Sequence, residues 1–224
     1  MSIPTNSGNV STYAERVARH VPGLEDLHRM AGILLAERVP ASGRVLVLGA
    51  GGGLELRAFV DWQPGWQFDA VDPSPEMLDQ ARTVLSDTAN RVTFHEGYIT
   101  DAPEGPFDGA TCLLTLHFLA REERLCTLQA LHQRLQPGAP FVVAHHSFPQ
   151  DGLQRDLWLR RNADLLVSKG VPMQQAEQGI MAMKERLPAL SPEEDEALFL
   201  EAGFGEIQLF YAGFTFKGWV CYRV

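Results

Sequence analysis

Cysteine is scarce. Cys112, Cys126 and Cys221 are an odd, widely spaced set with no C-x-x-C pair. That excludes a disulfide framework and a structural zinc site. Long apolar runs are missing as well. None reaches the roughly 18 residues needed to span a bilayer. Residues 1–10 are polar and hold no signal-type apolar core. The expectation is a cytoplasmic protein with no membrane partner. Positive charge is the minority, Lys+Arg 19 against Asp+Glu 28, for a net charge of −9 and a pI of about 5.2. Nucleic-acid binders draw affinity from counterion release at a basic surface, so no nucleic-acid partner is expected. The hydrophobic content of 45% suffices for a full core, and 224 residues suit one α/β domain.

Patterning along the chain is helical first and alternating afterwards. Helices are expected over 11–20 and 24–39, broken by Val21-Pro22-Gly23. Strands are expected at 44–48, 68–71, 92–95, 107–114 and 140–144. They are separated by helices over 54–62, 76–85 and 121–135. Residues 151–200 read as two or three helices, and 207–211 with 219–223 as an antiparallel hairpin. The fold class is therefore α/β, a Rossmann-like, doubly wound seven-stranded sheet, mostly parallel with a C-terminal antiparallel hairpin. The single domain divides into an N-terminal helical cover (1–43), a cofactor-binding core (44–150), a helical insert (151–200) and the hairpin (201–224). The ligand crevice is expected beyond the carboxyl ends of strands one and four.

The strongest local signal is Val45-Leu46-Val47-Leu48-Gly49-Ala50-Gly51-Gly52-Gly53. Glycine there lets backbone approach a ligand closely, and a strand-to-helix turn aims free N–H groups at it. Nineteen positions after Gly53 comes Asp72, at the end of the second expected strand. A carboxylate there accepts from both hydroxyls of a ribose. No G-K-[ST] follows, which excludes a Walker phosphate loop. Position six of a G-x-G-x-x-G dinucleotide turn falls on Leu54, a poor fit. The spacing Gly49, Gly51, Gly53 instead matches G-x-G-x-G.

This segment resembles motif I of the class I S-adenosylmethionine-dependent methyltransferases. Val71-Asp72-Pro73-Ser74-Pro75-Glu76-Met77-Leu78 resembles their second motif, and Gly97-Tyr98-Ile99-Thr100-Asp101 their third. Phe107-Asp108-Gly109-Ala110 and Leu114-Thr115-Leu116-His117-Phe118-Leu119 resemble their fourth strand and its exit. The resemblance implies S-adenosylmethionine as cofactor, with S-adenosylhomocysteine as product. It implies contacts from Gly49, Ala50, Gly51, Gly53, Asp72, Pro73, Met77, Tyr98, Ile99 and Leu114. The family often carries an acidic residue where this chain has Val47.

The flanks resemble a narrower group, the bacterial carboxy-S-adenosylmethionine synthases. The likeness lies in His20-Val21-Pro22-Gly23-Leu24, Glu123-Arg124 and Ala202-Gly203-Phe204. It implies a homodimer and carboxylation of the cofactor methyl by prephenate. Yet Leu24 stands where it implies a tyrosine, and Leu113 where it implies an asparagine. The implied carboxylate-holding arginine falls near Ile180, with Lys184 and Arg186 close by. Ordinary methyl transfer to a small molecule is therefore the main reading. Carboxy-cofactor synthesis and cofactor binding without catalysis are the alternatives.

Methyl transfer is an in-line displacement in which the protein chiefly aligns the acceptor, and a base is needed only for a protonated nucleophile. His117, past strand four, and His145 and His146, after strand five, are the candidates for base or substrate contact. Strand alternation sends His145 and His146 to opposite faces. Tyr13 is expected as a lid contact, and Trp158 and Arg160 as substrate contacts. No metal site is expected.

Overall fold

A computed structural model describes residues 10–224, and their side chains from Tyr13 onward. Two helices lead, α1 (Val10–His20) and α2 (Leu24–Ala36). The alternating part follows as β1 (Arg44–Leu48), α3 (Leu54–Trp62), β2 (Gln67–Asp72), α4 (Pro75–Leu85) and β3 (Val92–Glu96). It continues with β4 (Gly109–Leu113), α5 (Arg121–Arg134) and β5 (Pro140–His146). Three helices, α6 (Gly152–Ser168), α7 (Met173–Arg186) and α8 (Pro192–Glu201), precede β6 (Phe204–Gly213) and β7 (Phe216–Arg223). One seven-stranded sheet has the order β3-β2-β1-β4-β5-β7-β6. The first five strands pair in parallel, and β7 runs antiparallel between β5 and β6. Winding reverses between β1 and β4, which opens a crevice at their carboxyl ends.

Strand β1 reads as an unbroken apolar run because both of its faces are covered. Val45 and Val47 join the core under α2 and α3. Leu46 and Leu48 join the core on the opposite face, with Leu128, Leu198 and Trp219. Helix starts follow local chemistry. Ser74 Oγ accepts from Met77 N–H ahead of Pro75 at α4. Ser191 and Glu194 form a reciprocal capping box at α8.

Several boundaries differ from the sequence pattern. Helix α2 stops at Ala36, and a turn then drops Val39 into the core. Phe107 lies outside β4, fully buried, and bridges to Leu135. Strand β5 runs two residues further, so His145 and His146 pair with Lys217 and Phe216 of β7. The β6–β7 connection is only Phe214 and Thr215, with Phe214 at φ 50°. Within 151–200, α6 and α7 pack on each other around Ala163, Leu166, Val171 and Ala176. Helix α8 instead puts Leu198 and Phe199 into the main core.

Candidate active site

The turn after β1 is built by backbone geometry that only glycine tolerates well. Gly49, Gly51 and Gly53 have φ of 76°, 49° and 80°. A Cβ on Gly49 would also lie 2.1 Å from Thr115 Oγ1, so the segment leaving β4 presses directly on the turn. The N–H groups of Gly49 and Ala50 are tied to Val71 O at 2.8 and 3.1 Å. Gly53 caps α3, whose first N–H groups therefore face the crevice.

Asp72 ends β2 and is buried. Its Oδ2 accepts from Gly51 N–H at 2.8 Å and its Oδ1 from Ser74 N–H at 3.0 Å. Burial pushes its carboxyl above the ordinary value, against the pull of those two donors. A carboxylate accepts about four hydrogen bonds, so capacity remains for a ribose hydroxyl pair. Pro73 is exposed and Met77 half-buried beside it. Across the crevice Tyr98 is 61% exposed, while Ile99 turns into the core. Leu114 holds a left-handed backbone, φ 59°, with its N–H on Ala144 O at 2.6 Å. Such a backbone costs a β-carbon residue roughly 1–2 kcal/mol. It is imposed where β4 leaves the sheet at the crevice mouth.

Tyr13 on α1 lies across the glycine turn. A Cβ on Gly52 would meet its ring at 2.7 Å, and one on Gly51 its hydroxyl at 3.2 Å. The residue just after α6 reaches the same helix, with Lys169 Nζ donating to Ala18 O at 3.2 Å.

The three histidines separate. His117 is buried in the short turn Leu116–Phe118, and its Nδ1 accepts from the backbone N–H of His146 at 3.3 Å. Burial, then His146, His145 and Arg124, hold its pKa well below the usual value. The neutral ring therefore carries its proton on Nε2. His146 stacks on Phe216 with 3.8 Å between centroids, and its Nδ1 lies 3.0 Å from Thr215 Oγ1. Burial, with His145 and His20, pushes it down to about 3.

His145 corrects the expectation of a crevice histidine. Strand alternation turns it to the other face, where it is fully buried, 5.7 Å from the Trp219 ring. Its Nε2 lies 3.1 Å from Asp195 Oδ2, and Asp195 Oδ1 takes Arg124 Nη1 at 2.5 Å. Burial pushes Asp195 up, but His145 and Arg124 together hold it below the ordinary carboxylate value. This triplet joins β5, α5 and α8.

Arg160 is a second correction. It is exposed and turned away from Trp158, because residues two apart on a helix do not share a face. Arg161, three positions on from Trp158, lies 4.7 Å over its ring instead. Lys217 Nζ lies 5.1 Å from the same ring. Glu55 and Lys217 were not among the sequence candidates. Among the described residues, no group of three or more His, Cys, Asp or Glu side chains is arranged to hold a metal ion.

The glycine turn and the spare acceptor capacity of Asp72 suit a nucleoside. Residues 45–138 match a family model described as a methyltransferase domain. The carboxy-S-adenosyl-L-methionine synthase of Chromohalobacter salexigens is 24% identical over 219 residues, covering 96% of this chain and 81% of that one. The synthase of Klebsiella pneumoniae is 26% identical over 235 residues, covering 99% and 95%. Among solved structures, human N-acetylserotonin methyltransferase in complex with SAM superposes with a TM-score of 0.59 at 18% identity. An O-methyltransferase family protein from Burkholderia thailandensis gives 0.65 at 15%. Each of these two matches 89% of this chain, which spans only 53% and 55% of their lengths. Residues 45–138 thus match a methyltransferase domain, and nearly the whole chain is similar to carboxy-S-adenosyl-L-methionine synthases.

Proposed function

We propose that this enzyme transfers the methyl group of S-adenosylmethionine in line to a small-molecule acceptor. The observation that carries the reading is the roof over the carboxyl edge of the sheet. Tyr13 rests on Gly52, and Lys169, just after α6, donates to Ala18 O of α1, so α1 is held over the glycine turn with the end of α6 beside it. A helix held across the carboxyl edge suits a low-mass acceptor better than a macromolecule, and the −9 charge disfavours a polyanion.

Bound S-adenosylmethionine supplies an electrophilic methyl on a sulfonium. The chain's own part is positioning. Asp72, the turn Gly49–Gly53 and the Leu114 backbone would hold the nucleoside and the methionine end. His117, neutral and protonated on Nε2, donates a hydrogen bond that orients the acceptor. Trp158, flanked by Arg161 and Lys217, offers an apolar face edged with positive charge, suited to an acceptor with an anionic group. Neither His117 nor His146 is basic enough to be charged near neutrality. The acceptor atom is therefore one that reacts without a side-chain base. Transfer of tritiated methyl from the cofactor into low-mass metabolite pools tests this. A labelled small product supports it, while label only in protein or RNA, or none despite cofactor binding, overturns it.

Carboxy-cofactor synthesis is the second reading, favoured by the curated relatives that align over nearly the whole chain. Against it, Leu24 and Leu113 are buried in apolar cores. Ile180 packs on the α6–α7 cluster, and Lys184 is held by Asp156 at 2.5 Å. Mass spectrometry of the copurified cofactor separates the two, since carboxylation adds one carboxyl group to its mass. A cytoplasmic homodimer belongs to the same proposal, and light scattering tests the dimer.

A further inference from the structure

A buried carboxylate lies beside the crevice without a cation. Glu55 is the second residue of α3, directly after the glycine turn, and is only 6% exposed. Its Oε1 accepts from Thr111 Oγ1 at 2.9 Å. Thr111 is the register partner of Val47, two residues before Gly49. In a parallel ladder, paired residues point to the same face. Glu55 therefore reaches from the helix to the spot that a side chain at position 47 addresses from the strand. Val47 itself leaves that spot apolar.

The charged groups around Glu55 are of one kind. Glu55 feels the charge of Asp72 on β2, and Tyr13 on α1 and Cys112 on β4 feel the charge of Glu55. Among the described residues no arginine, lysine or histidine makes an ion pair with it. Burial, reinforced by Asp72 and opposed by the Thr111 hydrogen bond, pushes its carboxyl up to about 8. Without a ligand it is a neutral acid at pH 7. A buried carboxylate becomes favourable as an anion only when a cation is brought to it. The cofactor of this family carries an α-ammonium on its amino-acid end.

We propose that Glu55, presented from α3, is the carboxylate that receives the ammonium of the cofactor's amino-acid end at the height where Val47 leaves the strand apolar. The inference rests on the cofactor assignment above. On binding, Glu55 passes its proton to solvent and the ammonium keeps its own, so the pair forms with release of one proton.

Calorimetry at pH 7, in two buffers of different ionisation heat, tests it with S-adenosylmethionine and with 5′-methylthioadenosine. The second ligand keeps the nucleoside and lacks the amino acid. Wild type is expected to release close to one proton per S-adenosylmethionine and none per methylthioadenosine. Glu55→Gln is expected to abolish that release and weaken S-adenosylmethionine at least tenfold, with methylthioadenosine binding unchanged. Unchanged S-adenosylmethionine affinity in Glu55→Gln overturns the inference, as does an equal loss for both ligands. If the variant fails to fold, wild type decides alone, and no proton release with S-adenosylmethionine overturns it. Wild type that binds neither ligand sinks the cofactor assignment itself, a distinguishable failure.

Discussion

The backbone N–H of His146 donates to Nδ1 of His117, joining the end of β5 to the turn that follows β4. That one bond decides what His117 offers. Its proton sits on Nε2, and burial holds the ring neutral. At saturating S-adenosylmethionine, kcat/KM for the acceptor is expected to be flat between pH 6 and 8 once the acceptor's own titration is removed, because neither His117 nor His146 changes charge there. Replacing His117 with Gln should lower kcat/KM by about tenfold, the worth of one hydrogen bond, and leave the pH profile unmoved. A profile rising with a midpoint near 6.5 that vanishes in His117→Gln would show a base instead.

Asp72 anchors the glycine turn through Gly51 and the start of α4 through Ser74. Asp72→Ala removes an acceptor for both and, on the proposed reading, for the ribose hydroxyls. Hydrogen bonds to a charged group are worth about 1.5–3 kcal/mol each, so S-adenosylmethionine and S-adenosylhomocysteine should both bind at least tenfold more weakly. Calorimetry with the two ligands measures it. Affinity equal to wild type would remove Asp72 from the cofactor site.

The buried pair Arg124–Asp195 is an internal brace between α5 and α8, with Arg124 also donating to Pro188 O at 3.0 Å. Removing one partner leaves the other charged in the core, at a cost of about 3–5 kcal/mol. Arg124→Met should show that loss in urea unfolding, and Arg124→Met with Asp195→Leu should recover much of it. A double variant no more stable than the single would mean that the pair contributes geometry rather than compensated charge.

The glycine turn and Asp72 were legible from sequence because backbone constraint is written in residue type. Only glycine suits the left-handed positions at 49, 51 and 53, and the second strand must bring its last residue to the same edge. The hairpin and the mostly parallel sheet followed from the order of elements. The histidine roles did not. Alternation separates His145 from His146 but does not say which face holds the crevice. That depends on Asp195, 50 positions further on, meeting Nε2 of His145. Asp195 itself stands among Glu193 and Glu194 in the first turn of α8, where acidic residues read as ordinary surface charge. Glu55 is hidden in the same way. Its partner Thr111 lies 56 residues away, and no local pattern joins them.

Acid should weaken this fold through His28. It is buried on α2, and burial lowers its pKa to about 4. The unfolded chain binds a proton at that imidazole near pH 6.5, whereas the folded chain does not until about 4. Protons therefore favour unfolding across that window, and stability is lost as pH falls from 6.5 to 4. One group with this shift contributes on the order of 3 kcal/mol over the full window. His146, held at about 3, acts in the same direction. His28→Leu keeps an uncharged side chain there at every pH. Urea unfolding at pH 7 and pH 5 should show a smaller acid loss in the variant than in wild type, by roughly 2 kcal/mol. Equal losses in the two proteins would place the acid sensitivity elsewhere, with His146 and its neighbour His117 the next groups to replace.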